Sequence, residues 1–143
     1  HQGNGTADIT RNDPTIFTFS IHGEKNFPFR KIDGDLDIAL PDGTTDEFYL
    51  DMVEEGTRHA ILKAGADLAI YISGADPFTG DRLGKLNISK VGLAQRDSLV
   101  LDLCLAAGLP VAIAMGGGYA DNVEDIVDIH TQTIRLAAQR VRA

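Results

Sequence analysis

Long apolar runs are missing from this chain. No stretch approaches the roughly 20 residues a bilayer-spanning helix needs. The opening residues HQGNGTADIT show neither the basic n-region nor the apolar h-region of a secretion signal, so a soluble cytoplasmic protein is expected. Cysteine is almost absent. The single Cys104, set in the apolar pattern LVLDLCLAAG, excludes a disulfide framework and reads as a buried core thiol. Basic residues are also scarce: 13 Lys and Arg against 21 Asp and Glu give a net charge of -8. This argues against a nucleic-acid binder, which neutralises phosphates with clustered cations, and a basic partner would be a substrate tail. No internal repeat, linker or low-complexity tract interrupts the sequence.

What is present suits one globular unit: 143 residues, 43% of them hydrophobic and 24% charged, allow a substantial core. Residues 15–22 (TIFTFSIH) alternate apolar and polar side chains, and residues 36–40 (LDIAL) form a short apolar run closed by Pro41-Asp42-Gly43; both predict strands. Thr44 and Glu47 have capping-box spacing before a helical pattern over 46–64, which Gly65 ends. Residues 68–72 (LAIYI) and 111–115 (VAIAM) are unbroken apolar runs of strand length, the pattern of strands buried on both faces of a parallel sheet. Between them Ser89 is placed to cap a helix carrying Val91, Leu93, Val100, Leu103 and Cys104 and stopping at Gly108. Asp121 and Glu124 form a second capping box for a final helix. The order β, β, α, β, α, β, α predicts an α/β fold with a mostly parallel sheet and helices on both faces. A start at His, running straight into a Gly-rich polar turn, reads as a cut in a longer chain.

In open parallel sheets, ligands bind at the carboxyl ends of the strands. Asp76 follows the first buried strand through small residues, and Tyr119 follows the second through three glycines. With His1, they put a carboxylate, an imidazole and a phenol on three loops, a set suited to a borderline metal such as zinc and to an oxyanion. Each also has an ordinary alternative. A lone His near a chain start is commonly solvated, Asp76-Pro77 is a good turn start, and Gly-Gly-Gly-Tyr serves as a flexible loop.

Three separated motifs, HQGNGTA, SGADPFTGDRLGKLNIS and MGGGY, resemble in the same order the zinc-binding segment, second metal loop and catalytic turn of histone deacetylases. FSIH, NFPF and LPDGTTDEFYL fill the spaces between them as in that superfamily, so the resemblance covers nearly the whole chain. HQGNG, and GDRLG followed by NIS, are closest to the class IV type. The resemblance implies a three-layer arginase/deacetylase fold whose N-terminal part lies outside these residues, with residues 1–143 forming the C-terminal portion of one deacetylase domain. It implies that His1 and Asp76 bind the metal and that Tyr119 hydrogen-bonds the acyl oxygen. Phe27 and Leu83 fall at walls of the acyl-lysine tunnel, although core packing also explains an apolar residue there. The Gly117 carbonyl falls at its floor, and Ser20 matches a ligand of a structural monovalent cation, K+.

In the family pattern a first metal-binding Asp lies two positions before the metal-binding His, and a tandem His pair acting as general base and acid lies further upstream. Both would precede His1. His22, His59 and His130 read as structural or solvated, not as substitutes. The implied activity is zinc-dependent hydrolysis of acyl amides on lysine side chains or small acetylated amines, with iron(II) an alternative ion. The competing expectation is a catalytically incomplete fragment acting as a binding or structural module.

Overall fold

A computed structural model describes residues 1–141. The elements run α1 (Asn4–Thr10), β1 (Phe19–Gly23), β2 (Leu36–Leu40), α2 (Asp46–Ala64), β3 (Ala69–Gly74), α3 (Lys90–Ala106), β4 (Val111–Gly116) and α4 (Val123–Val141). The architecture is α/β with parallel strands, as the order of apolar runs predicts. The strands hydrogen-bond as two parallel pairs, β1 with β2 and β3 with β4. Among the described residues no helix is long and apolar enough to cross a membrane.

The core joins Leu40 at the end of β2, Tyr49 and Val53 of α2, Leu93, Val100 and Cys104 of α3, and Ile129 of α4. Gly56 lets α2 settle on the β1–β2 pair, because a Cβ there would overlap the Phe19 ring and Ile38. Burial pushes the Cys104 thiol up, in keeping with a core residue.

The boundaries of α2 are those the periodicity predicts, with Gly65 left-handed at its C-cap. Its N-terminus differs. The N-cap is Thr45 without a side-chain hydrogen bond, while the Thr44 hydroxyl donates to the Pro41 carbonyl at 2.8 Å, so the expected capping box does not form. The second capping box is also replaced: Asn122 Oδ1 accepts from the Glu124 amide at 3.2 Å, and Asp121 pairs with Arg82. The first strand starts at Phe19 instead of residue 15 because Asp13 closes a local turn, accepting from the Thr15 amide at 2.9 Å and hydroxyl at 2.6 Å. The opening segment, expected as a turn, contains the short helix α1 with Ala7 buried.

Ser89 caps α3 as expected. Its hydroxyl oxygen accepts from the Gly92 amide at 2.9 Å and donates to Asp46 Oδ2 at 2.5 Å, tying the starts of α2 and α3 together. Ser89→Ala should destabilise the full-length protein by about 1–2 kcal/mol, read as a lower urea midpoint with unchanged slope.

The β3–β4 pair departs from the expectation of burial on both faces. Tyr71 packs against the core, whereas Ile70, Ile72 and Met115 are exposed, Ile70 to 70%. The continuous apolar pattern exceeds what the described residues cover.

Candidate active site

The register of β3 with β4 builds the centre of the site. Gly74 pairs with Gly116, and the ladder continues one step further where the Ala75 amide donates to the Gly116 carbonyl at 2.9 Å. The two strands therefore release their loops side by side. Asp76, 7% exposed, leaves the first; Gly117, Gly118 and Tyr119 leave the second. Gly117 and Gly118 have φ of 63° and 107°, values a side chain disfavours, and a Cβ on Gly117 would overlap Asp76 Oδ1. The glycine turn is thus folded directly over the carboxylate.

His1 meets Asp76 from the other side: its ring Nδ1 lies 2.6 Å from Asp76 Oδ2, and its main-chain nitrogen reaches the same oxygen. Gln2, buried, fixes this segment. Its side-chain amide donates to the Ile32 carbonyl at 2.7 Å and Asp37 Oδ1 at 3.0 Å, and its Oε1 accepts from the Ile32 amide at 3.0 Å. The structure therefore brings His1, Asp76 and Gly117 together. Tyr119, 51% exposed, extends from the far end of the same turn.

Leu83 is exposed on the loop after Asp76, and its amide is held by Asp81 Oδ1 at 2.8 Å. Phe27 is exposed on a separate loop, where its ring meets Phe29 edge-on with centroids 6.2 Å apart. Lys31 Nζ braces that loop by donating to the carbonyls of Asn26 at 2.7 Å and Pro28 at 2.6 Å. Ser20, on β1, accepts from the Gly3 amide at 3.2 Å and lies 3.0 Å from His22 Nδ1. His22 is buried; burial pushes its imidazole below the usual range, against the opposing pull of Asp37.

Two residues whose hydrogen bonds tie these segments down escape a reading by sequence. Gln2 sits inside HQGNG without an ionisable group to draw notice. Asp81 sits in GDRLG, where its turn-forming character was legible but its reach to Tyr119 was not.

A borderline metal fits the donor pair chemically: an imidazole nitrogen and a carboxylate oxygen converge in a cradle that only glycine leaves open. The described residues do not complete a site, since no group of three or more His, Cys, Asp or Glu is placed to hold a metal among them.

Comparison with known proteins agrees with this architecture. An acetylpolyamine aminohydrolase from Burkholderia pseudomallei superposes with a TM-score of 0.79 at 19% identity, over 95% of this chain and 42% of that one. A histone deacetylase homologue complexed with SAHA gives 0.79 at 24% identity, over 96% and 39%. At these identities the likeness defines the class: an α/β protein with the deacetylase fold. In sequence, an uncharacterized protein of Picosynechococcus sp. is 48% identical over 96% of this chain and 46% of its own length. Histone deacetylase 2 of Arabidopsis thaliana is 30% identical over 88% of this chain and 35% of its own length. The family profile described as the histone deacetylase domain matches residues 1–134, and the chain belongs to that family. It spans less than half the length of these two relatives.

Proposed function

We propose that these residues are the C-terminal portion of a single deacetylase domain that hydrolyses acyl amides, either on lysine side chains of proteins or on small acetylated amines. The observation that carries this is the glycine turn folded over the Asp76–His1 pair and leading into Tyr119. His1 and Asp76 would hold a metal ion, zinc or alternatively iron(II), which when bound polarises the acyl carbonyl and acidifies water. A further carboxylate ligand and a His-His pair for proton transfer come from outside the described residues. Tyr119 donates its phenolic hydrogen to the oxyanion that forms as the amide is attacked. The Gly117 carbonyl, at the floor, accepts from the substrate, and Phe27 and Leu83 line the channel that excludes water from it. Ser20 contributes to a structural K+ site. HQGNG and GDRLG-x-x-NIS favour the class IV type, and the acidic chain favours a basic substrate tail over a nucleic acid. The single buried cysteine and the lack of long apolar runs favour a cytoplasmic protein with no membrane partner.

The test uses full-length protein with an acetyl-lysine peptide and an N-acetylated polyamine. Chelation should lower turnover at least about 100-fold and added zinc should restore it, since metal polarisation is worth several kcal/mol of barrier. Turnover indifferent to chelation would overturn the metal assignment. Hydrolysis of neither substrate would leave the second reading, a binding or structural module.

A further inference from the structure

The turn that carries Tyr119 contains two successive glycines at positive φ, the most permissive backbone in the site. A phenol that must meet an oxyanion within a few tenths of an ångström needs that turn fixed by something outside it. Asp81 is so placed. Its Oδ2 accepts from the Tyr119 amide at 2.6 Å, and an antiparallel bridge joins Asp81 to Ala120. Its Oδ1 accepts from the Leu83 amide at 2.8 Å and the Gly84 amide at 2.7 Å. Arg82 completes the clasp: its amide and its Nε both donate to the Tyr119 carbonyl, at 3.2 and 3.1 Å. Gly84, in turn, lies so close to the Asp76 carbonyl that a Cβ would overlap it.

A carboxylate is more than the 81–84 turn requires. A neutral Asn or Ser oxygen closes such turns, and burying a charged group is costly unless its hydrogen bonds are met. Asp81 is 8% exposed and receives three backbone N–H donors, two from its own turn and one from the glycine turn 38 residues away. One oxygen serves the local loop, and the other reaches across.

We infer that Asp81 is a positioning residue for the deacetylation step, holding Tyr119 and the Leu83 wall as one rigid unit beside Asp76. This rests on the reading of Tyr119 as oxyanion donor. Asp81→Asn keeps the size of the side chain but puts a donor in place of one acceptor, so one face of the clasp is lost.

The experiment measures kcat, KM and bound zinc for full-length wild type, Asp81→Asn, Tyr119→Phe and the double variant, with an acetyl-lysine peptide. Asp81→Asn should lower kcat about 10-fold to 100-fold, the scale of a misplacement near 1 Å, with KM changed less than about twofold and zinc content unchanged. In the Tyr119→Phe background the same substitution should change kcat by less than about twofold, because a misplaced donor and an absent one are equivalent. Asp81→Glu, which keeps the charge but moves it by one methylene, should give the same kcat-selective loss; if Asp81→Asn does not fold, this variant is judged by the same criteria. Full kcat in either variant, or an equal loss with and without the Tyr119 hydroxyl, would overturn the positioning role. Undiminished turnover in Tyr119→Phe alone would instead remove the underlying reading of the tyrosine.

Discussion

Turnover of the full-length protein is expected to fall by about 100-fold to 1000-fold in Tyr119→Phe, with bound metal unchanged, because that is the usual effect of deleting one oxyanion donor. The substitution removes a single oxygen. Tyr119 is half-exposed and lies outside the buried core, so its ring contributes little to stability and the phenylalanine variant should melt with the wild type. Measured together, kcat, metal content and melting temperature separate the chemistry from the fold. Metal content is the sensitive control, since Gly117 touches Asp76 two residues before the tyrosine. If the variant turns over at the wild-type rate, Tyr119 does not stabilise the oxyanion. Loss of metal together with activity would mean that the hydroxyl supports the turn and not the reaction.

The second large effect lies beneath the site. Arg96 and Asp97 of α3 are both buried, 4% and 1% exposed, in a region where an unpaired charge is costly. Asp97 Oδ1 accepts from Arg96 Nε at 2.8 Å and from the Tyr71 hydroxyl at 2.5 Å, and Oδ2 accepts from Thr133 at 2.5 Å. The guanidinium lies 5.9 Å from the centre of the Tyr71 ring, and its NH1 donates to the Gly74 carbonyl at 2.6 Å. Burial alone would weaken the charge on Arg96; Tyr71, Tyr49 and Asp97 around it raise its pKa above the ordinary value instead. Asp97→Ala strands this cation, and the full-length protein should lose about 3–5 kcal/mol of stability in urea unfolding. Replacing both charges by apolar groups of similar volume, Arg96→Met with Asp97→Leu, in a Tyr71→Phe, Thr133→Val background that removes the hydroxyls Asp97 accepts from, should be markedly less damaging than Asp97→Ala alone. If this fully apolar variant is the worse of the two, the pair stabilises by attraction and not merely by mutual neutralisation.

These two predictions differ in how far sequence alone could have led to them. Apolar periodicity and flanking Gly and Pro are local signals, so α2 emerges with its observed ends and β2, β3 and β4 within two residues of theirs. Asp76 and Tyr119 were legible because strand ends in parallel sheets are where ligands bind, and the β3–β4 register places their loops together. Arg96-Asp97 was not. Adjacent charges in a helix are solvated by default, and only the arrival of Tyr71 and Thr133 from other elements makes a buried pair tolerable. The same limit explains the caps: Asp121 has the right spacing for a capping box but finds Arg82, and Asn122 takes the helix end. Val91, part of the apolar pattern that marks α3, is exposed, whereas the neighbouring stripe through Leu93, Val100 and Leu101 is buried. A helix pattern identifies an apolar arc without saying where its centre falls.

The parallel pairing of Gly74 with Gly116 couples two properties that would otherwise evolve separately. One strand end supplies the Asp76 carboxylate proposed to hold a metal and the neighbouring strand end supplies the turn leading to the Tyr119 phenol, and a shift of β4 by one residue would carry that turn about 3.3 Å along the carboxylate. Under the proposed function, affinity for an ion and aim of the tyrosine would therefore change together. Natural variation in this family should be sparse at the contact between the two strands and freer at Phe27 and Leu83, exposed on loops apart from that contact.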